Sequence, residues 1–364
     1  MTHILHSRQI ALLLVLASSP VWGETSHLDR WQGVTYPNVS PSDQRLPSVL
    51  TRNIIGSGAS RVVFWDDQIG WVSGYGGVFA TTDGGFTWKR FQKSGGWLGL
   101  GMTGPREAWL LGTGHGEPAG KPRSLLKTVD GGATWQSALS SPFLCLNFLL
   151  CRGREIWASG QNRFFHSADG GTTWEEQTFG GLLSAPIKVA IPGDRPMPSG
   201  GFIVYATGYP NHAAKSEDGG KTWKKLSIPA DLGCPTQIFF INSETGWISG
   251  DNGNIIYTCD GGQTWTHRDL PAKRLITALW FDQLGRGYAA VHEENFIRFS
   301  EPEVLFQTLD SGRTWTPALR NFIDVFGICD CGPGKVFAVG VIRSNMPDGV
   351  IVFLPALGDP VCLP

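Results

Sequence analysis

Apolar residues in this chain come in short runs, each closed by polar or glycine-rich positions. Arg61 to Trp65 reads RVVFW, Trp71 to Gly74 reads WVSG, and Gln237 to Ile241 reads QIFFI. Short runs rich in β-branched and aromatic residues, bounded by turn formers, predict β-strands. No stretch sustains the helical spacing of about 3.6 residues.

The pattern repeats. Trp71, Trp109, Trp157, Tyr205, Trp247, Tyr288 and Phe337 each open an apolar run, and glycine stands three places on in all but the Tyr288 copy. A second motif, Ser/Thr-x-Asp-x-Gly-x-Thr-Trp, occurs six times, with aspartates at Asp83, Asp130, Asp169, Asp218, Asp260 and Asp310. Its carboxylate can accept backbone N–H bonds across a tight turn. Its glycines supply backbone angles with positive φ, and its tryptophan can leave the turn to bury its ring between sheets. Such a turn satisfies itself locally, so these aspartates are read as architectural, not catalytic.

Each unit thus runs strand A, turn, strand B, loop, strand C, motif turn, strand D. Four antiparallel strands in about 45 residues is the period of a propeller blade. The expectation is an all-β, seven-bladed β-propeller of four-stranded antiparallel blades. The seventh unit has strand-like runs at Phe326 to Cys329, Val336 to Gly340 and Val350 to Leu354, but no motif and no strand D. The spare run Arg30 to Val34 (RWQGV) resembles the strands that begin at each motif tryptophan. It is expected to complete the last blade through Trp31, which removes exposed sheet edges. The predicted organisation is a signal peptide over 1–23, an N-terminal segment over 24–48 with the closing strand, and the propeller over 49–364.

Composition adds detail. The 48 glycines and 15 tryptophans suit many tight turns between aromatic strands. Ten of the tryptophans fall at the repeated positions and are read as core; Trp97, after two glycines, is read as a loop aromatic. With 30 basic and 31 acidic residues and no basic run, nucleic-acid binding has little support. Arg8, the apolar stretch Ile10 to Ala17, too short to span a bilayer, and the small residues Val21 and Gly23 at the −3 and −1 positions read as a secretory signal cleaved after Gly23. Export to a periplasm is expected, or to a thylakoid lumen if the host is photosynthetic. The seven cysteines are odd in number, so at least one lacks an intramolecular partner. None has zinc or haem spacing, and no metal or cofactor is expected.

These motifs resemble the bacterial-neuraminidase-repeat, or Asp-box, superfamily. Within it, the single array with Trp-x-x-Gly ahead of each box is similar to the photosystem II stability/assembly factor family. Blade five carries the likeness most fully, in Gly246 to Asn254 (GWISGDNGN) followed by Thr258 to Trp265 (TCDGGQTW). The resemblance implies a non-enzymatic, exported scaffold for a membrane-associated complex. Family members in oxygenic phototrophs assist photosystem II assembly on the lumenal side, and relatives occur in non-photosynthetic bacteria. The expected partner is a protein, a membrane protein or complex, with contact peripheral to the membrane and the chain itself monomeric.

In a propeller the B–C loops ring the face opposite the box turns, where ligands usually bind. On that rim the candidate binding residues are Arg163, Arg343, Tyr209, His212, Asn252, His115 and His292. Arg163 and Arg343 lead, because each sits near a strand end and carries a charge that needs a partner. The competing reading is an Asp-box glycoside hydrolase, sialidase-like or glucanase-like. Sialidase chemistry needs an arginine cluster, a tyrosine nucleophile and an acid/base carboxylate, and the Arg-Ile-Pro signature of that family is absent. Glu293 and Glu294 are adjacent, so in a strand they point apart instead of flanking one bond. No catalytic residue is therefore assigned.

Overall fold

The computed structural model describes residues 59–74, 76–92, 96–113, 124–139, 146–160, 163–183, 186–192, 202–271, 273–292, 303–320, 322–330, 335–342 and 348–354. They form an all-β propeller. The first blade is β1 (Ala59–Phe64), β2 (Gly70–Gly74), β3 (Gly77–Thr81) and β4 (Lys89–Gln92). The second is β5 (Gly96–Gly104), β6 (Glu107–Thr113), β7 (Ser124–Thr128) and β8 (Gln136–Leu139), and the third is β9 (Phe148–Arg152), β10 (Glu155–Gly160), β11 (Arg163–Ser167) and β12 (Glu175–Gln177). The fourth is β13 (Pro186–Ala190), β14 (Val204–Gly208), β15 (His212–Ser216) and β16 (Lys224–Leu226). The fifth is β17 (Pro235–Phe240), β18 (Gly246–Gly250), β19 (Ile255–Thr258) and β20 (Thr266–His267). The sixth is β21 (Ile276–Phe281), β22 (Gly287–Val291), β23 (Glu303–Thr308) and β24 (Thr316–Arg320). Every strand pairs antiparallel with the next in its own sheet.

A further sheet holds β25 (Phe322–Asp330), β26 (Val336–Ile342) and β27 (Asp348–Leu354). Seven four-stranded blades were expected; six are seen, and this sheet has three described strands. The strand expected around Trp31 lies outside the described residues, as do the proposed signal over 1–23 and the segment over 24–48. The first strand of each sheet packs against the first strand of the next, and β25 packs against both β21 and β1.

The six motif turns have one hydrogen-bond plan. In the first, the Thr81 hydroxyl donates to Asp83 Oδ1 at 2.7 Å and accepts from the Gly85 N–H at 2.9 Å. Asp83 also accepts the Thr87 N–H at 2.8 Å and the Thr87 hydroxyl. The same bonds recur at Asp130, Asp169, Asp218, Asp260 and Asp310. A further bond ties each turn to the A–B turn of its own blade: the residue after the aspartate donates to Gln68, Arg106, Arg154, Phe202, Glu244 or Gly285. The motif turns and A–B turns therefore share one face, as the repeat order implied.

The two tryptophan sets differ in a way the repeat does not show. The strand-B aromatics are the true core, with Trp71 at 2 % exposure and Trp109, Trp157 and Trp247 at 0 %. Of the motif tryptophans, only Trp315 is buried; the other five are half-buried. Two of them pack edge-on against the preceding sheet, Trp135 on Trp71 and Trp174 on Trp109, each at 5.8 Å between centroids. The outermost position of each blade leaves one side of the ring to solvent. Trp97 corrects the loop assignment. It lies in β5, is 4 % exposed, and joins the core beside Trp71, because a bulge between Trp97 and Gly99 turns it inward.

The second glycine of the turns shapes the contact between sheets. Gly85, Gly132, Gly171 and Gly220 lie against Phe337, Trp71, Trp109 and Trp157, the strand-B aromatic of the preceding sheet. Gly171 (φ +80°) shows why glycine is needed: a Cβ there would fall within the Trp109 indole, whereas at Gly170 (φ +73°) it would meet nothing within 4 Å. Both backbones are left-handed, so Gly170→Ala is expected to cost about 1 kcal/mol from conformation alone. Gly171→Ala should cost about 2 kcal/mol more, from the added overlap. Urea unfolding of the two variants compares these costs, and equal losses would show that the indole does not set the requirement.

The turns also carry an acid signature. The Thr87 and Thr264 hydroxyls hold Asp83 and Asp260 down to about 2. A carboxylate held lower in the folded than in the unfolded chain stabilises above its unfolded value, and loses that contribution as pH falls through the folded one. Stability should therefore decline between about pH 4 and pH 2. In Asp260→Asn the slope over that window should be shallower, as read by thermal melting. An unchanged slope would refute the assignment.

Candidate functional site

Two ends of the propeller can be compared. At the B–C end, Arg163 opens β11 and is half-exposed. Its guanidinium makes a bidentate pair with Glu176 of β12, at 2.9 and 2.7 Å, and lies over the Phe165 ring. The charge thus has a partner within its own blade. Glu176 is held below the usual carboxylate range by that arginine.

Tyr209 follows β14 and is 42 % exposed, before a cis bond to Pro210. His212 opens β15, with its Nδ1 buried and without a hydrogen-bond partner. Asn252, in the next blade, is committed to loop structure: its amide donates to the Asp231 carbonyl at 2.8 Å and its oxygen accepts the Asn254 N–H. Neighbours serve the same end. Asn254 also donates to the Asp231 carbonyl, and Asn211 donates to that of Pro229. Lys273 joins Asn254 to Asp269 at 2.6 and 2.7 Å. Tyr209 and His212 thus share one loop, with Asn252 in the following blade. His292 lies just after β22, where its N–H donates to the Leu275 carbonyl. His115 and Arg343 lie outside the described residues.

A cavity among the described residues opens at the other end. It holds about 400 Å³ and is lined by the final residues of β9, β13, β17, β21 and β25. These are the innermost strands, so the cavity is the mouth of the central channel on the face of the motif turns. Leu150, Ile191, Phe239, Ile241 and Trp280 form apolar walls, with Arg152, Asp282, Gln283 and Asp330 as polar groups. Asp282 is taken by Arg286 at 2.6 Å, and Asp330 accepts the Trp280 indole N–H at 3.3 Å.

Deeper along the innermost strands stand two cations. Arg61 of β1 donates to the carbonyls of Ser60 and Phe326, at 2.8 and 2.6 Å. Lys188 of β13 lies 5.6 Å from the centroid of the Phe148 ring. Burial, and secondly the charge of Arg61, push the Lys188 ammonium down to about 7. Neither cation forms an ion pair among the described residues. Neither residue lies among the rim candidates read from the sequence. The available signal was a charged residue inside a short, otherwise apolar first strand, as in Pro186 to Ala190 (PIKVA).

The family described as photosynthesis system II assembly factor YCF48 matches residues 215–321. The photosystem II assembly lipoprotein Ycf48 of Synechococcus sp. (strain CC9902) is 25% identical over 209 residues, covering 55% of this chain and 59% of that protein. The chain thus matches less than two thirds of that relative's length. Among solved structures, YCF48 bound to D1 peptide superposes with a TM-score of 0.62 at 16% identity, covering 85% of this chain and 96% of that one. The GH74 enzyme of Niastella koreensis gives 0.61 at 16% identity, covering 81% of this chain and 54% of that one. At these identities the structural likenesses show the fold. In sequence the chain resembles the photosystem II assembly factors.

Lys188 yields a prediction with a definite sign. Its folded value lies below its unfolded one, so the unfolded chain binds more protons between about pH 7 and pH 10, and stability rises with pH there. Below that window the ammonium is held charged at full cost. Lys188→Met in dilute amine buffer should therefore stabilise the protein by about 1–2 kcal/mol at pH 6, with the gain shrinking toward pH 10. A gain that grows with pH in thermal melts would reverse the argument.

Proposed function

We propose that this chain is an exported, non-enzymatic scaffold that binds a protein segment and assists assembly of a membrane-associated complex. The observation that carries the reading is the sequence match over residues 215–321 to the photosystem II assembly-factor family, together with the lipoprotein relative. The described geometry agrees with it. All six motif carboxylates are consumed in turn hydrogen bonds, so none is available for acid or base work.

A glycosidase reading has less support. The GH74 likeness is one of fold, and it extends over 54% of that enzyme.

Three finer points belong to the same proposal. The sheet of β25 to β27 is a seventh blade, because Phe337 meets Gly85 of the first blade as Trp71 meets Gly132 and Trp109 meets Gly171. A strand around Trp31, following a signal cleaved after Gly23, would complete it. The protein acts as a monomer in a periplasm, or in a thylakoid lumen in a photosynthetic host. Its partner is a membrane protein or complex met at the B–C rim, where Arg163, Arg343, Tyr209, His212, Asn252, His115 and His292 remain the candidate contacts.

Crosslinking and pull-down from the native host should recover a membrane protein or complex. The Arg163–Glu176 pair is exposed, and such pairs contribute little to stability. Arg163→Glu should therefore leave the melting temperature within about 2 °C while reducing recovery of the partner severalfold. Undiminished recovery would remove Arg163 from the contact surface. Turnover of a β-glucan or sialoside by the purified chain would overturn the scaffold reading itself.

A further inference from the structure

The two channel cations pose a problem that the proposed function does not use. Arg61 and Lys188 stand on two of the innermost strands, and a half-buried ammonium without a carboxylate is costly. Arg61 spends its Nη1 on the Ser60 and Phe326 carbonyls. Its remaining guanidinium donors meet no acceptor among the described residues, and neither does the Lys188 ammonium, whose partner is the face of Phe148. Gln237 of β17 turns its amide to the Thr277 carbonyl at 2.6 Å. The inner wall thus offers unmet donors and positive charge together.

A water-filled pore with one sign of charge and low-dielectric walls concentrates counter-ions. Guanidinium and ammonium donors both match oxygen anions, the guanidinium through its planar fork. We propose that the channel binds one small oxyanion, of the sulfate or carboxylate class, between Arg61 and Lys188. The anion would meet the open donors of both side chains and allow Lys188 to remain an ammonium. Because the site lies on the innermost strands, it takes a small free ion. It is distinct from the rim, and the pull-down result does not bear on it.

The test is calorimetric titration of the purified full chain at pH 6 with sodium sulfate and, separately, sodium acetate, against sodium chloride at matched ionic strength. Saturable binding of one oxyanion per chain is expected, in excess of chloride. A preference for sulfate over acetate would assign the site to tetrahedral oxyanions, and the reverse to carboxylates; either supports the proposal. Lys188→Met should weaken binding at least tenfold, while Lys188→Arg should keep it within about threefold by retaining the charge. A third variant, Lys188→Gln, keeps a polar side chain should the Met variant fold poorly, and should show the same loss. Absence of saturable oxyanion binding to the unaltered chain, or binding by the Met and Gln variants as tight as that of the unaltered chain, would overturn the site.

Discussion

The fold depends on one short-range interaction made six times, an aspartate carboxylate that closes its own turn. Each accepts a threonine N–H and hydroxyl four residues on, and a serine or threonine hydroxyl two residues back. These bonds fix the path from strand C to strand D. They also aim the next N–H at the A–B turn of the same blade. Both hairpins of a blade are thereby tied at one end by bonds that need no other blade. Charge-assisted hydrogen bonds of this kind are shorter and stronger than neutral ones, which explains why the same residue types recur at every turn.

The turn also sets how blades meet. In four turns the second glycine, Gly85, Gly132, Gly171 or Gly220, brings backbone onto the strand-B aromatic of the preceding sheet, where no side chain fits. At two of the strand-B residues a hydrogen bond to the next blade is added. Tyr205 donates to the Ser243 carbonyl at 2.7 Å, and Trp247 donates to Ser311 at 3.1 Å. Ser311 takes the left-handed backbone with φ 61° that glycine holds in the other five turns. Local turn chemistry and ring packing are therefore one constraint seen at two scales.

The motif aspartates are taken up by structure, and the channel and the rim carry other polar side chains. On the rim, Asn252 and Asn254 brace the Asp231 loop, and Arg163 is paired with Glu176. Such a surface is preorganised and mixed in charge, which suits recognition of a protein segment more than bond cleavage. The channel is different in kind, with apolar walls and a few polar groups at its motif-face mouth and two cations further in.

The repeated Trp-x-x-Gly and Asp–Gly–Thr–Trp motifs determined the strand order, the turn type and the structural role of the six aspartates. They could do so because those interactions lie within a few residues of one another. Trp97 was misplaced because its burial depends on a bulge and on a neighbour, Trp71, in another blade. Arg61, Lys188 and the cavity at the far mouth were not legible for the same reason. Their meeting depends on strands far apart in the chain converging on one axis, and no local pattern encodes that convergence. Burial of Lys188, and hence the lowered proton affinity of its amine, exists only once the inner strands have assembled around it.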